Sequence, residues 1–70
     1  MEAKEIGKFI QQRRETLMLK QEDVAEMGGI TPKTIYLIEQ GKGNPSLNTL
    51  QKISNVLGVE LLFRIKRTDL

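Results

Sequence analysis

The stretch from Gln21 to Leu50, QEDVAEMGGITPKTIYLIEQGKGNPSLNTL, carries the punctuation from which the rest of the chain can be read. Thr31 is a good helix cap, and Pro32 suits the first helical position because an N–H there would be unpaired anyway. Ile35 and Ile38 follow at helical spacing, so a helix is expected from here to Gly41. A shorter helix is predicted upstream, from Gln21 to about Met27, with Val24, Ala25 and Met27 on its inner face. Glu22 and Asp23 occupy its first turn, where the helix dipole favours negative charge. Lys20 is a poor cap for it, and Asp23 reaching back toward the start compensates. Gly28-Gly29 ends this helix, because glycine readily takes the left-handed conformation needed just past a helix.

Working outward, Gly41-Lys42-Gly43-Asn44-Pro45 reads as a turn and Ser46 as the cap of another helix. Leu47, Leu50, Ile53 and Leu57 line one face of that helix, and Gly58 closes it. At the other end of the chain an amphipathic helix is expected from about Ala3 to Leu17. Ile6, Phe9, Ile10 and Leu17 form its apolar stripe, with Lys4, Lys8, Gln11, Gln12 and Arg13 opposite. Gly7 costs that helix about 1 kcal/mol relative to Ala, so packing has to hold its first turn. Met18 and Leu19 are expected to tuck under the next connection. Arg14 falls on the apolar stripe and Glu39 adjoins the inner face of its own helix; a charge so placed is expensive unless paired.

The tail has a different period. In Val59-Glu60-Leu61-Leu62-Phe63-Arg64-Ile65-Lys66-Arg67 the side chains of Leu61, Phe63 and Ile65 alternate with those of Leu62, Arg64 and Lys66, which is the pattern of a strand. A single strand in a helical domain has no pairing partner in its own chain, and an unpaired edge is costly or aggregation-prone. The same strand of a second copy across a two-fold axis is the simplest partner, so a homodimer held through Leu61, Leu62, Phe63 and Ile65 is expected. The expected architecture is all-α, a compact domain of four to five helices over residues 1–59. Residues 60–70 form the strand and tail that pair across the dimer.

Seventy residues make one small domain, which buries only about 60 per cent of the surface its unfolded chain exposes. The absence of Cys and His leaves neither disulfide staples nor a zinc site, so packed helices or oligomerisation must supply the stability. A hydrophobic fraction of 39% with 29% charged residues argues against disorder. No leader-like apolar region and no run approaching a membrane span is present, so a soluble, cytoplasmic protein is expected. The net charge of +2 is too small to argue by itself for a nucleic-acid partner. Residues 1–20 carry five basic and three acidic groups, residues 21–40 one and four, and residues 41–70 five and two.

Two short helices joined by a tight turn make the helix-turn-helix plan, whose second helix enters the DNA major groove. With Gln21 opening the unit, Ala25 small at the crossing, Gly29 in the turn, and Glu39 followed by Gly41, the sequence resembles the Cro/C1-type (XRE) family of DNA-binding domains over roughly residues 5 to 59. Gly28 and Lys20 depart from the family pattern, which more often has a larger apolar residue and Ser or Thr at these positions. The resemblance implies that Arg14 and Glu39 bridge the first and third helices as a structural ion pair. It also implies base reading by Pro32, Lys33 and Leu37, with Thr31, Thr34 and Tyr36 beside them. Lys33 is suited to donate to guanine O6 and N7, and Leu37 to touch a thymine methyl. Thr34, Lys42, Asn44 and the backbone around Gly43 match family positions that grip phosphate, and Gln21 stands beside the N–H groups that open the second helix. The partner implied is double-stranded operator DNA bound by a homodimer; no cofactor, metal or membrane is implied.

The ending LGVELLFRIK is similar to that of HipB-type antitoxins, small DNA-binding dimers that autoregulate their operon and bind a HipA-type kinase toxin. That resemblance implies a possible second partner of the HipA kind. An enzyme is disfavoured, since no carboxylates, Lys, Ser or Tyr converge in a recognisable cleft. The competing reading is a protein-interaction module that uses the same helices and strand without binding DNA, and the acidic second helix keeps it open.

Overall fold

Each helix begins with a hydrogen bond between a backbone N–H and a side chain three residues away. In the computed structural model, which describes residues 2–67, there are four: α1 (Ala3–Thr16), α2 (Gln21–Gly28), α3 (Pro32–Glu39) and α4 (Leu47–Leu57). Thr31 Oγ1 accepts from the Thr34 N–H at 3.2 Å, and Ser46 Oγ accepts from the Thr49 N–H at 3.0 Å. At α2 the cap works in reverse: the Lys20 N–H donates to Asp23 Oδ2 at 2.7 Å, so the carboxylate supplies what the lysine cannot.

All four helices end by one device. A residue just past each end is left-handed: Met18 (φ 58°), Gly29 (φ 69°), Gly41 (φ 72°) and Gly58 (φ 67°). The next N–H then reaches back five residues: Leu19 to the Arg14 carbonyl (3.1 Å), Ile30 to Ala25 (2.9 Å), Lys42 to Leu37 (2.8 Å) and Val59 to Ser54 (3.0 Å). This geometry turns Leu19, Ile30 and Val59 inward against the core. A residue with a Cβ pays about 1–2 kcal/mol for the left-handed conformation, which is why glycine fills three of the four positions. Met18 takes the fourth with its side chain 90% exposed. The expectation that Met18 tucks under the connection is therefore wrong, and only Leu19 does so.

α3 packs between α1 and α2, while α4 lies chiefly on α2 and touches α1. The core they share consists of Ile10, Val24, Ala25, Ile35, Ile38, Ile53 and Leu57. Four expected inward residues are in fact exposed: Phe9, Leu17, Met27 and Leu47. On α1 the buried line runs through Gly7, Ile10 and Arg14. Phe9 stands about 100° around the helix from Ile10 and sits on the rim, 54% exposed. On α2 the pair Val24 and Ala25 sets the inner face and leaves Met27 at its edge. Leu47 has the correct face but lies a turn before Leu50, which is itself only half-buried.

Gly7 has a reason that sequence alone does not show. A Cβ there would overlap the carbonyl oxygen of Ile38 and lie 2.8 Å from that of Glu39, so only glycine lets α1 approach the end of α3. Gly28 is the opposite case: a methyl there would meet Val56 and Ile30 at 3.5 and 3.6 Å, ordinary contact distances.

The tail departs from expectation. Among the described residues there is no strand and no fifth helix, and residues 59–67 leave α4 without regular structure. A ladder needs two strands, and four helices offer no edge for one. Leu61, Leu62, Phe63 and Ile65 are all exposed, Phe63 at 90% and Ile65 at 93%. The last three residues of the expected 60–70 tail lie outside the described residues. Among those described, no helix is long and apolar enough to cross a membrane.

These packing differences set opposite signs for three substitutions. In urea unfolding, Gly7→Ala is expected to cost about 1–3 kcal/mol through overpacking. Gly28→Ala should gain about 0.4–1 kcal/mol through helix propensity and reduced unfolded-state entropy. Met18→Gly should gain about 0.5–1 kcal/mol by relieving the left-handed strain.

Candidate nucleic-acid interface

The position of α3 is fixed from behind by a buried polar network. Arg14 Nε donates to Glu39 Oε2 at 2.7 Å and Arg14 Nη2 to Glu39 Oε1 at 2.9 Å, a bidentate pair linking α1 to the end of α3. The third guanidinium nitrogen, Nη1, donates to the Leu19 carbonyl at 2.8 Å. Gln21 Nε2 donates to Glu39 Oε1 at 3.0 Å, so the first residue of α2 joins the same carboxylate. Both charged residues are buried. The hydrogen bond to Glu39 raises the Arg14 pKa above its ordinary value against the opposing effect of burial. Gln21, expected as a phosphate contact beside the start of α2, spends one N–H of its side-chain amide on Glu39, which leaves the second N–H and the backbone N–H groups at the helix start to face an anion.

Arg13, on the polar side by sequence, has a structural partner as well. Its Nε donates to the Leu57 carbonyl at 2.9 Å, placing a cation at the C-terminus of α4, where the dipole favours it. Nothing in the spacing of Arg13 distinguishes it from a solvated surface charge, and the contact spans 44 residues of sequence.

With its inner face held by Ile35, Ile38 and Glu39, α3 presents the opposite face to solvent. Thr31, Pro32, Lys33 and Tyr36 are exposed there. Thr34 and Leu37 are half-buried and share a cleft with Lys42, Asn44, Ser46 and Thr49. Leu37 leans toward the loop, its Cβ 3.8 Å from where a side chain on Gly43 would begin. Eight of the nine residues named as DNA-contacting thus lie on two adjoining surfaces, the open flank of α3 and the cleft beside it. Three more polar residues accompany them. Gln40, exposed and seven residues after Lys33, shares the α3 face by helical spacing alone and could have been found that way. Ser46 is expected from sequence only as a cap and Thr49 carries no expectation at all, yet they bring the start of α4 to the cleft. A helix start offers N–H donors and positive dipole to an anion.

Residues 10–63 match the helix-turn-helix family. The chain belongs to that family, in its Cro/C1-type branch. An HTH-type transcriptional regulator of Methanothermobacter thermautotrophicus, itself uncharacterised, is 41% identical over 52 residues, which cover 74% of this chain and 75% of that one. The HTH-type transcriptional regulator PuuR of Escherichia coli is 40% identical over 55 residues, 79% of this chain and 30% of that protein. A longer Methanococcus vannielii protein named for the same motif is 38% identical over 63 residues, 90% of this chain and 19% of that one. The chain therefore spans only about a fifth to a third of these last two relatives. In three dimensions it is similar to the restriction-modification controller protein C.AhdI of Aeromonas hydrophila, with a TM-score of 0.80 at 26% identity over 83% of this chain and 88% of that one.

The buried network generates a double-mutant prediction. Arg14→Ala and Glu39→Ala should each cost about 3–5 kcal/mol, because each strands a buried charge. The double variant should cost clearly less than the two losses added together, a coupling that urea unfolding of all four proteins measures.

Proposed function

We propose that this chain binds operator DNA as a homodimer, each α3 entering the major groove, and represses transcription from the site it occupies. The observation that carries this reading is the division of α3 and its caps into a locked inner face and an outer face on which Thr31, Pro32, Lys33, Tyr36 and Gln40 are exposed. Lys33 projects from the first turn, the part of a recognition helix that reaches base edges, and its ammonium suits guanine O6 and N7. Tyr36 offers a hydroxyl to a phosphate or base edge, and Leu37 an apolar contact to a thymine methyl. Thr34, Lys42, Asn44 and the start of α4 grip the flanking phosphates and set register. Pro32 adds shape and no hydrogen bond.

Few cations stand on this surface, Lys33 and Lys42 between residues 31 and 46, so a single chain binds weakly. Pairing two chains through residues 60–70 doubles the contacts, with the α3 helices about 34 Å apart, one turn of B-DNA. Residues 1–59 are in this reading the DNA-binding unit and the tail its assembly arm, working in the cytoplasm where the operator is. The narrower identity as the autoregulating antitoxin of a HipBA-type pair rests on the LGVELLFRIK ending, and co-purification of a kinase from the source cell tests it. The family match does not favour the alternative of an interaction module that binds no DNA.

Binding to a duplex recovered by selection from a random library should weaken steeply with salt, with a log–log slope of roughly −4 for about four phosphate contacts across the dimer. Lys33→Ala should cost about 1–3 kcal/mol and relax base preference at one position of each half-site. Lys42→Ala should weaken all duplexes alike and flatten the slope. A flat salt response, or a Lys33→Ala protein that selects the same sequences with the same affinity, would overturn the assignment.

A further inference from the structure

Phe9 is the largest side chain on α1 and points at neither the core nor the DNA-facing surface. It borders a groove of about 310 Å³ lined by Ile6, Phe9, Ile10, Leu50, Val59 and Leu61, almost all carbon, between α1, α4 and the root of the tail. Just beyond the groove the same chain carries Phe63 and Ile65, 90% and 93% exposed. An apolar slot and an exposed, alternately apolar segment lie side by side in one polypeptide.

The charges around them are complementary. Glu2 and Glu5 fall on the same helical stripe as Phe9, seven and four residues before it, and Glu60 lines the groove itself. The tail interleaves its apolar residues with Arg64, Lys66 and Arg67. Antiparallel pairing of two tails centred on Phe63 sets Leu61 opposite Ile65 on one face, and Glu60 opposite Lys66 on the other. Directly opposed side chains sit about 5 Å apart at Cβ. Centring the pairing on Arg64 would instead oppose two guanidinium groups. In the Phe63 register the second tail's Ile65 arrives beside Leu61, at the mouth of the groove.

We propose that this groove is the receptor for the tail of a second copy of the chain, Ile65 of the partner subunit entering beside Phe9 while its basic residues face Glu60, Glu5 and Glu2. The inference rests on the homodimer reading above and adds to it a seat on the helical body, without which a two-stranded ribbon alone would be marginal. The α1 rim and the tail then form one interface, and the two bodies are held at a fixed angle, which a flexible strand pair would not impose.

The test uses the full chain. In a mixed sample of 13C-labelled and unlabelled copies, filtered NOE spectra should show intermolecular contacts from the Phe9 ring to Ile65. Sedimentation of Phe9→Lys should show at least a tenfold weaker dimer with unchanged helical content, since Phe9 is outside the core. Intermolecular contacts between tails, with none to Phe9 and an undiminished Phe9→Lys dimer, would overturn the seat while leaving the strand-paired dimer standing. Contacts from Phe9 to Ile65 that are only intramolecular would mean that each tail folds onto its own body, and would also overturn it. A chain that stays monomeric at millimolar concentration would remove both readings.

Discussion

One carboxylate organises the molecule. Glu39 closes α3 and accepts from Arg14 on α1 and from Gln21 at the head of α2, while Arg14 also holds the carbonyl of Leu19 in the connection between those helices. Three helices and one loop therefore meet at a single charge pair. Burying two charges is expensive, and the cost is offset because every nitrogen and oxygen of the pair has a hydrogen-bond partner, bidentate where the two meet. Its return is positional. A hydrophobic core of Ile, Leu and Val would hold α3 against α1 at several nearly equivalent angles, whereas a forked guanidinium on a carboxylate accepts few. Gly7 belongs to the same arrangement, because its missing Cβ lets α1 come close enough to the end of α3 for Arg14 to reach.

What sequence could show, and what it could not, follows from the range of each interaction. Thr31 with Pro32, Ser46, and the reach of Asp23 back to Lys20 were readable because caps act within three residues. The helix ends at Gly29, Gly41 and Gly58 were readable because glycine advertises a left-handed residue. Met18 occupies the same conformation without the glycine, and so was misplaced. Phe9, Leu17, Met27 and Leu47 read as inward because an apolar residue at helical spacing looks the same on the rim as in the core. Only the packing of α1 against α3, set by Gly7 and Arg14, decides how α1 is rotated. Arg13 on the Leu57 carbonyl was invisible, since a capping cation from another helix leaves no local pattern. On the candidate interface the first turn of α3 is readable from its cap and Gln40 from its helical spacing, while Ser46 and Thr49 come to it only through the way α3, the loop and α4 fold together.

The three surfaces that result divide the work. The inner face of α3 is bound to the body and its outer face is exposed, the surface proposed for the duplex; the α1–tail side carries Phe9 and the alternating segment, the surface proposed for a second copy. A domain this small cannot build an enclosed pocket and a large core together. It can expose two different flat surfaces, one polar and weakly basic and one apolar with flanking acids. In the proposed reading, affinity for DNA depends on assembly, because too few lysines face the duplex for one copy to suffice.

The central claim is that the exposed flank of α3 and the cleft beside it meet DNA. Amide 1H–15N correlation spectra of the full chain, recorded while a duplex is added at low salt, test it directly. The account predicts that shift changes concentrate on residues 31–37, Gln40 and residues 42–49, leaving the α1 rim around Phe9 undisturbed. Changes centred on Phe9 and the tail, or none at all at saturating duplex, would contradict it.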